Sequence, residues 1–187
     1  MKELIDFANS IYPISTEAAA ALEKICTLTN VPKYAEVQPI GQSCKTIYFI
    51  QKGALRIYYL KDGVDITESF QFENSIVARV ESLFSGKPSS KAIQALEAAT
   101  LVLIPTDKLT LLYAEFQSIE RLFRKIFEES HMQSIHRLES IQFHSAEERY
   151  HNLLRENPQI LQRIPLKYIA SYLGITPVSL SRIRANL

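Results

Sequence analysis

The sequence predicts an α+β chain in three parts: an N-terminal antiparallel β-roll with helices ahead of it (residues 1–108), a long dimerisation helix (109–142) and a C-terminal all-α helix-turn-helix domain (143–187). Three observations predict this. Between Val31 and Pro105, prolines at 32, 39, 88 and 105 and four of the five glycines, at 41, 53, 63 and 86, punctuate runs rich in Val, Ile, Tyr and Phe. Between Pro105 and Pro158 there is neither proline nor glycine, and apolar residues recur at helical spacing. The last stretch, Leu166 to Ala185, has the pattern of two short helices joined at a glycine.

Taken in order, Lys2 to about Thr29 reads as helical, interrupted at Pro13, with Ser15 and Thr16 as caps before an alanine-rich run. Thr46–Gln51, Ala54–Leu60 and Asp65–Phe72 are the clearest strands, joined at Lys52-Gly53 and at Lys61-Asp62-Gly63. Asp-Gly supplies the positive φ angles of a tight hairpin. A last alternating run, Ala92 to Ile104, closes the sheet, and short sequential strands of this kind form a roll. One helix is then expected from about Leu109 to Gln142, about 50 Å long and longer than a small domain can cover. A second copy is the simplest partner for its apolar stripe, with Ile119, Leu122, Phe123, Ile126, Ile135 and Leu138 at the dimer interface. Burial of the whole helix against its own domain is the other reading.

Ser145-Ala146-Glu147-Glu148 has the form of a capping box, so a new helix carrying Tyr150, Leu153 and Leu154 starts there and the chain has a joint near His144. Ile160, Leu161 and Ile164 then fill the space under the final motif. In that motif Ile169, Ala170 and Leu173 face inward, Gly174 takes the turn, Ile175 plugs it, Thr176 caps the second helix and Pro177 opens it. With Leu180 and Ile183 buried, Val178 and Arg182 point outward, flanked by Ser179 and Ser181. Arg182 is placed to give a guanine two parallel bonds, whereas Arg184 meets a phosphate or a neighbouring carboxylate. Thr176, Pro177, Val178, Ser179, Ser181, Arg182 and Arg184 are therefore the candidate DNA-binding residues.

At these residues the chain resembles the family of the cyclic-AMP receptor protein and the fumarate–nitrate regulator (Crp/Fnr). YFIQKGALRIYYLKDG resembles the paired central strands of its sensing domain, and SAEERYHNLL the start of its DNA-binding domain. The resemblance implies a homodimeric, sequence-specific transcription regulator whose partners are duplex DNA, a second copy and RNA polymerase. Where the family commonly has an arginine and a glutamate ahead of the residue matching Arg182, this chain has Pro177 and Val178, so the family's best-known operator does not transfer. No residues follow Leu187 to form the family's β-hairpin wing, and wing contacts are not expected.

The resemblance also locates a ligand cassette, Val80 to Lys91. In cyclic-nucleotide binders it carries a glycine, a glutamate for the ribose and an arginine for the cyclic phosphate. Here Glu81 matches the carboxylate, Val80 replaces the glycine, and Ser89 or Ser90 stands at the arginine position. Classical cyclic-AMP binding is thus not expected. Glu81, Ser82, Ser89, Ser90 and Lys91 are the candidate ligand residues for an unidentified small-molecule effector.

Composition bounds the remaining classes. The 187 residues are 47% apolar with a formal charge of +1, a globular balance. From Phe143 onward six Lys and Arg face three Glu, so the basic excess falls on the candidate DNA-binding end. There is no apolar run of about 18 residues and no leader-like start, so neither a membrane span nor secretion is expected, and the cytoplasm is the expected compartment. Cys26 and Cys44 cannot form a four-cysteine iron–sulfur site, and the spacings of His131, His136, His144 and His151 suit no metal face. No cofactor, metal or catalytic residue is expected, since no phosphate-cradling loop, nucleophile elbow or ligand cluster occurs. The reading from another class is a small-ligand module whose C-terminal helices contact protein.

Overall fold

The structure, a computed structural model, describes residues 1–185; Asn186 and Leu187, at the end of the expected C-terminal domain, lie outside the described residues, as does the question of a wing. Two helices open the chain, α1 (Lys2–Ile11) and α2 (Thr16–Ile25), with the Ser15 hydroxyl accepting the Ala18 N–H at 3.2 Å. Helix does not continue to Thr29. Thr27–Val31 is strand β1, whose β-branched residues pair with a distant strand (Thr27↔Leu103 to Val31↔Ala99), a partner that local spacing does not reveal.

The strands β2 (Glu36–Gln38), β3 (Thr46–Lys52), β4 (Leu55–Lys61), β5 (Val64–Gln71), β6 (Ser75–Val77), β7 (Ala92–Ala95) and β8 (Ala99–Pro105), with the short helix α3 (Val80–Ser85) between β6 and β7, complete two four-stranded antiparallel sheets, ordered β1-β8-β3-β6 and β2-β7-β4-β5. The Asp62-Gly63 turn is as expected: both residues have positive φ, 52° and 78°, and Lys61 pairs with Val64. Two other expectations are corrected. β3 and β4 do not pair, because at Gly53 the chain crosses from one sheet to the other. The run Ala92 to Ile104 is two strands, one in each sheet, divided at Leu96–Ala98. Tyr48, Ile50, Leu55, Ile57, Ile93 and Leu101 fill the space between the sheets.

The alternate residues of β3 and β8, Ile47, Phe49, Val102 and Ile104, form a second core with the helices. The expected single helix from Leu109 to Gln142 is in fact two, α4 (Thr106–Glu115) and α5 (Gln117–Phe143), broken at Phe116 with φ −126° and ψ 96°. The break turns α5 back so that Leu112 and Ile119 share this core. Ile119, Leu122, Phe123 and Ile126 are each 8% exposed or less within their own chain, which corrects their assignment to a dimer interface. Ile135 is half-buried and Leu138 is 56% exposed, and exposed Met132 and Ile141 lie near them on the distal half of α5. Among the described residues no helix is long and apolar enough to cross a membrane.

After α5 the capping box forms as expected: Ser145 Oγ accepts the Glu148 N–H at 3.2 Å and Glu148 Oε2 accepts the Ser145 N–H at 2.7 Å. It starts α6 (Ala146–Glu156), followed by α7 (Ile160–Arg163), α8 (Leu166–Leu173) and α9 (Pro177–Ala185).

Candidate nucleic-acid interface

Local chemistry builds the α8–α9 unit. Gly174 ends α8 in the left-handed region (φ 70°, ψ 31°), and the Ile175 N–H returns to the Ala170 carbonyl at 3.0 Å. Thr176 Oγ1 then accepts the Ser179 N–H at 3.1 Å, capping α9. Leu180 is buried with Ile169, Ala170, Leu173, Tyr150, Leu153, Ile160 and Ile164, so one face of α9 is anchored. Leu161, expected under the motif, is instead exposed.

The opposite face is open. Val178 is 64% exposed, and Ser181, Arg182 and Arg184 are exposed with it. The hydroxyl groups are mostly engaged inside the helix: Ser179 Oγ lies 2.9 Å from Thr176 Oγ1, and Ser181 donates to the Pro177 carbonyl at 3.0 Å. Side-chain reach into solvent therefore comes chiefly from Val178, Arg182 and Arg184. An exposed helix face with two guanidinium groups can present planar donors to base edges and phosphates.

The motif is seated on the roll through polar contacts that the sequence reading did not anticipate. β5 is an edge strand, and Ser171 of α8 covers its open edge, accepting the Thr67 N–H at 2.9 Å and donating to the Asp65 carbonyl at 3.1 Å. Beside it Arg56 is 1% exposed. Its guanidinium makes two 2.6 Å bonds to Asp65, reaches Thr67 and Gln94 at 3.1 and 2.9 Å, and stacks 3.8 Å from the centre of the Tyr168 ring on α8. Arg163 of α7 pairs with Glu73 at 2.7 and 2.9 Å and with Glu97. Next to this seat, β5, α5 and α6 enclose a cleft of about 640 Å³ lined by Phe70, Phe72, Arg137, Ser140, Arg149 and Tyr172 among others.

The ligand cassette is closed on itself. It contains α3 (Val80–Ser85), whose buried Ser82 hydroxyl accepts the Cys44 N–H at 2.9 Å and donates to the Lys87 carbonyl at 2.5 Å. Ser89, also buried, accepts the Lys91 N–H at 3.1 Å and donates to the Lys91 carbonyl at 2.7 Å, while Lys91 Nζ pairs with Glu68 at 2.6 Å. Ser82, Ser89 and Lys91 thus hold the loop together; Glu81 and Ser90 are exposed. Arg79, just ahead of α3, is buried, and its Nε has no acceptor among the described residues. Among those residues there is also no group of His, Cys, Asp and Glu that could hold a metal ion.

Comparison with known proteins is consistent with this architecture. Residues 29–116, ending at the Phe116 break, match the family model of the cyclic nucleotide-binding domain. No curated relative matches the sequence. Among solved structures, FixK2 from Bradyrhizobium japonicum is 19% identical, with 87% of this chain and 84% of that one covered and a TM-score of 0.75. A protein from Eubacterium rectale described as a transcriptional regulator of the Crp/Fnr family is 19% identical over 91% of this chain and 82% of that one, TM-score 0.71. The c-di-GMP responsive global regulator CLP of Xanthomonas campestris is 12% identical over 92% and 91%, TM-score 0.70. At these identities the likeness is one of fold: a cyclic-nucleotide-binding-type roll, a long helix and a helical C-terminal domain in the Crp/Fnr arrangement.

Proposed function

We propose that this chain, a cyclic-nucleotide-binding-type roll on the Crp/Fnr frame, is a homodimeric transcription regulator that binds duplex DNA sequence-specifically through α9 and works in the cytoplasm. The observation that carries the reading is the two-sided character of α9: Leu180 is buried against α8 while Val178, Arg182 and Arg184 stand outward. A helix held in this way enters the major groove with its outer side chains on base edges. Arg182 donates two bonds to a guanine, Val178 meets the apolar part of a neighbouring base, and Arg184 neutralises a phosphate. The dimer seam uses Ile135 and Leu138 together with Met132 and Ile141, bringing two α9 helices about 34 Å apart, one turn of duplex. The roll does not take cyclic AMP in the family's usual way, because Ser89 or Ser90 stands where a guanidinium would clamp the phosphate, and neither carries a charge.

Duplexes enriched from a random library by the wild-type protein supply the operator for a direct test. Arg182→Ala, on an exposed position that leaves the fold intact, is expected to weaken binding to that operator about 10- to 100-fold, the value of one bidentate base contact. Affinity is also expected to fall steeply with added salt. Enrichment of no duplex sinks the reading, and an undiminished affinity in Arg182→Ala moves the recognition face elsewhere.

A further inference from the structure

The C-terminal end of an α-helix leaves its last carbonyls without intrahelical partners and carries the negative end of the helix dipole. At the end of α8 these carbonyls are taken by arginines from two other helices. Arg137 of α5 donates through Nη2 to the Tyr172 carbonyl, and its guanidinium lies 3.8 Å from the centre of the Tyr172 ring. Arg149 of α6 donates to the Leu173 carbonyl at 2.7 Å and to the His144 carbonyl at 2.6 Å, and so spans the joint. Burial lowers the Arg137 pKa from its ordinary value, and the neighbouring Arg149 adds to that. Two half-buried guanidinium groups at the edge of the cleft repel each other, and the carbonyl acceptors offset that cost.

We infer that Arg137 is a positioning residue for the recognition helix: it ties α5 directly to the end of α8, so that the aim of α9 follows α5 and is not left to the chain at His144. The inference rests on the DNA-binding reading of α9. Gly174 immediately follows the tied carbonyls, and Leu173 and Leu180 share one core, so α8 and α9 move as a unit. From the other side Ser171 and Tyr168 fix α8 to β5 and Arg56. The motif is thus clamped between the roll and the long helix. Successive helical residues are about 100° apart, so Arg137 and exposed Leu138 look in different directions from the same turn. That turn carries the proposed dimer seam on one face and the tie to α8 on another. A shift of α5 caused by its partner copy or by an effector in the roll reaches α9 through Arg137, with Arg149 bridging the end of α5 at His144 to the same end of α8.

The test uses the full chain with Cys26→Ser and nitroxide labels at Val64→Cys, at the start of β5, and Val178→Cys, on α9; both positions are exposed. Labelled chains are diluted with unlabelled chain so that pulsed dipolar spectroscopy reads distances within one chain. The wild-type distribution is expected to be narrow, Arg137→Gln at least twice as broad, and Arg137→Lys, which keeps a cation within reach of the carbonyl but loses the planar stack, intermediate. An Arg137→Gln chain with the wild-type distance and width overturns the inference; were that chain not to fold, Arg137→Lys with wild-type width would do so. Operator binding is measured on the unlabelled chains, which keep Val178. A wild-type chain that binds no duplex refutes the function proposed for α9, whereas the distance distribution still decides the role of Arg137.

Discussion

Gly53 shows how much one position can fix. The chain changes sheets there with φ 103°, and a Cβ would stand 2.7 Å from the Ala99 Cβ and 2.9 Å from its Cα. Its N–H donates to Glu73 Oε1 at 2.8 Å, so the crossing is also tied to a residue that holds α7. Gly53→Ala therefore combines a strained backbone with a clash against main chain, and is expected to cost about 2–4 kcal/mol, roughly 5–15 °C in melting temperature for a chain of this size. Gly86→Ala is the control. Gly86 also has positive φ, 70°, but nothing lies within 4 Å of its Cβ position, so only the backbone penalty of about 1–2 kcal/mol applies. Melting followed by circular dichroism separates the two, and equal losses would mean that the contact with Ala99 relaxes freely. Arg56 makes a related point about reading residues. Between Leu55 and Ile57 it has the place of an outward, solvated position on a strand, and outward it does point. What covers it is α8, more than a hundred residues later, and no local pattern announces a buried charge of that kind.

Elements were legible where their signals were local. The capping box of Ser145 and Glu148, the Asp62-Gly63 hairpin, the Gly174 turn and the Thr176 cap each depend on side chains within a few residues, and each formed where the sequence placed it. Elements defined by distant partners were not. The apolar spacing Leu109, Leu112, Ile119, Leu122 runs unbroken through Phe116, so the α4–α5 break left no mark in the periodicity, and the sheet change at Gly53 looked like another hairpin. In the candidate site the same division holds: the outward residues of α9 followed from the helical wheel, whereas Ser171, Arg137 and Arg163 depend on contacts between domains. The break has a consequence for assembly. With the first turns of α5 committed to the core, only the distal half remains for a partner, and Leu138→Glu places a charge in that seam. An unpaired charge there is expected to weaken self-association at least about 100-fold while the monomer fold persists. Sedimentation and circular dichroism check both parts: an unaffected dimer would move the seam off this stripe. Ile119→Glu, in contrast, is expected to unfold the chain, because that side chain is fully buried.

At the scale of the whole molecule, the roll and the helix-turn-helix meet through an apolar patch, where Ala54, Leu96, Phe70 and Phe72 pack on the C-terminal core, and through hydrogen-bonded charges, and the charged part has a predictable response to acid. Glu73 accepts from Gly53 of the roll and from Arg163 of α7. Burial by itself would raise the Glu73 pKa, but the Arg163 guanidinium and the backbone N–H groups of Glu73 and Gly53 outweigh it, and the net shift is downward. A carboxyl group whose folded pKa lies below its unfolded value stabilises the folded arrangement fully above the unfolded value, about 4.3, and the contribution is lost as pH falls through the lower folded value. The docked arrangement is therefore expected to persist at neutral pH and to loosen only in acid below the ordinary carboxylate range. In Glu73→Gln, with no carboxylate to hold Arg163, it is expected to be looser already at pH 7. The distance between labels at Val64→Cys and Val178→Cys reads this directly across a titration from pH 7 to about 3.5. Loosening of the wild type well above the carboxylate range would assign the seat to another group, and an unaltered Glu73→Gln chain would show that Ser171, Arg56 and Arg137 hold the motif without it. Because the downward shift keeps Glu73 ionised near neutrality, its pairing with Arg163 outlasts ordinary pH changes. A movement of α8 at neutral pH is then expected to come by another route, such as the tie that Arg137 makes from α5.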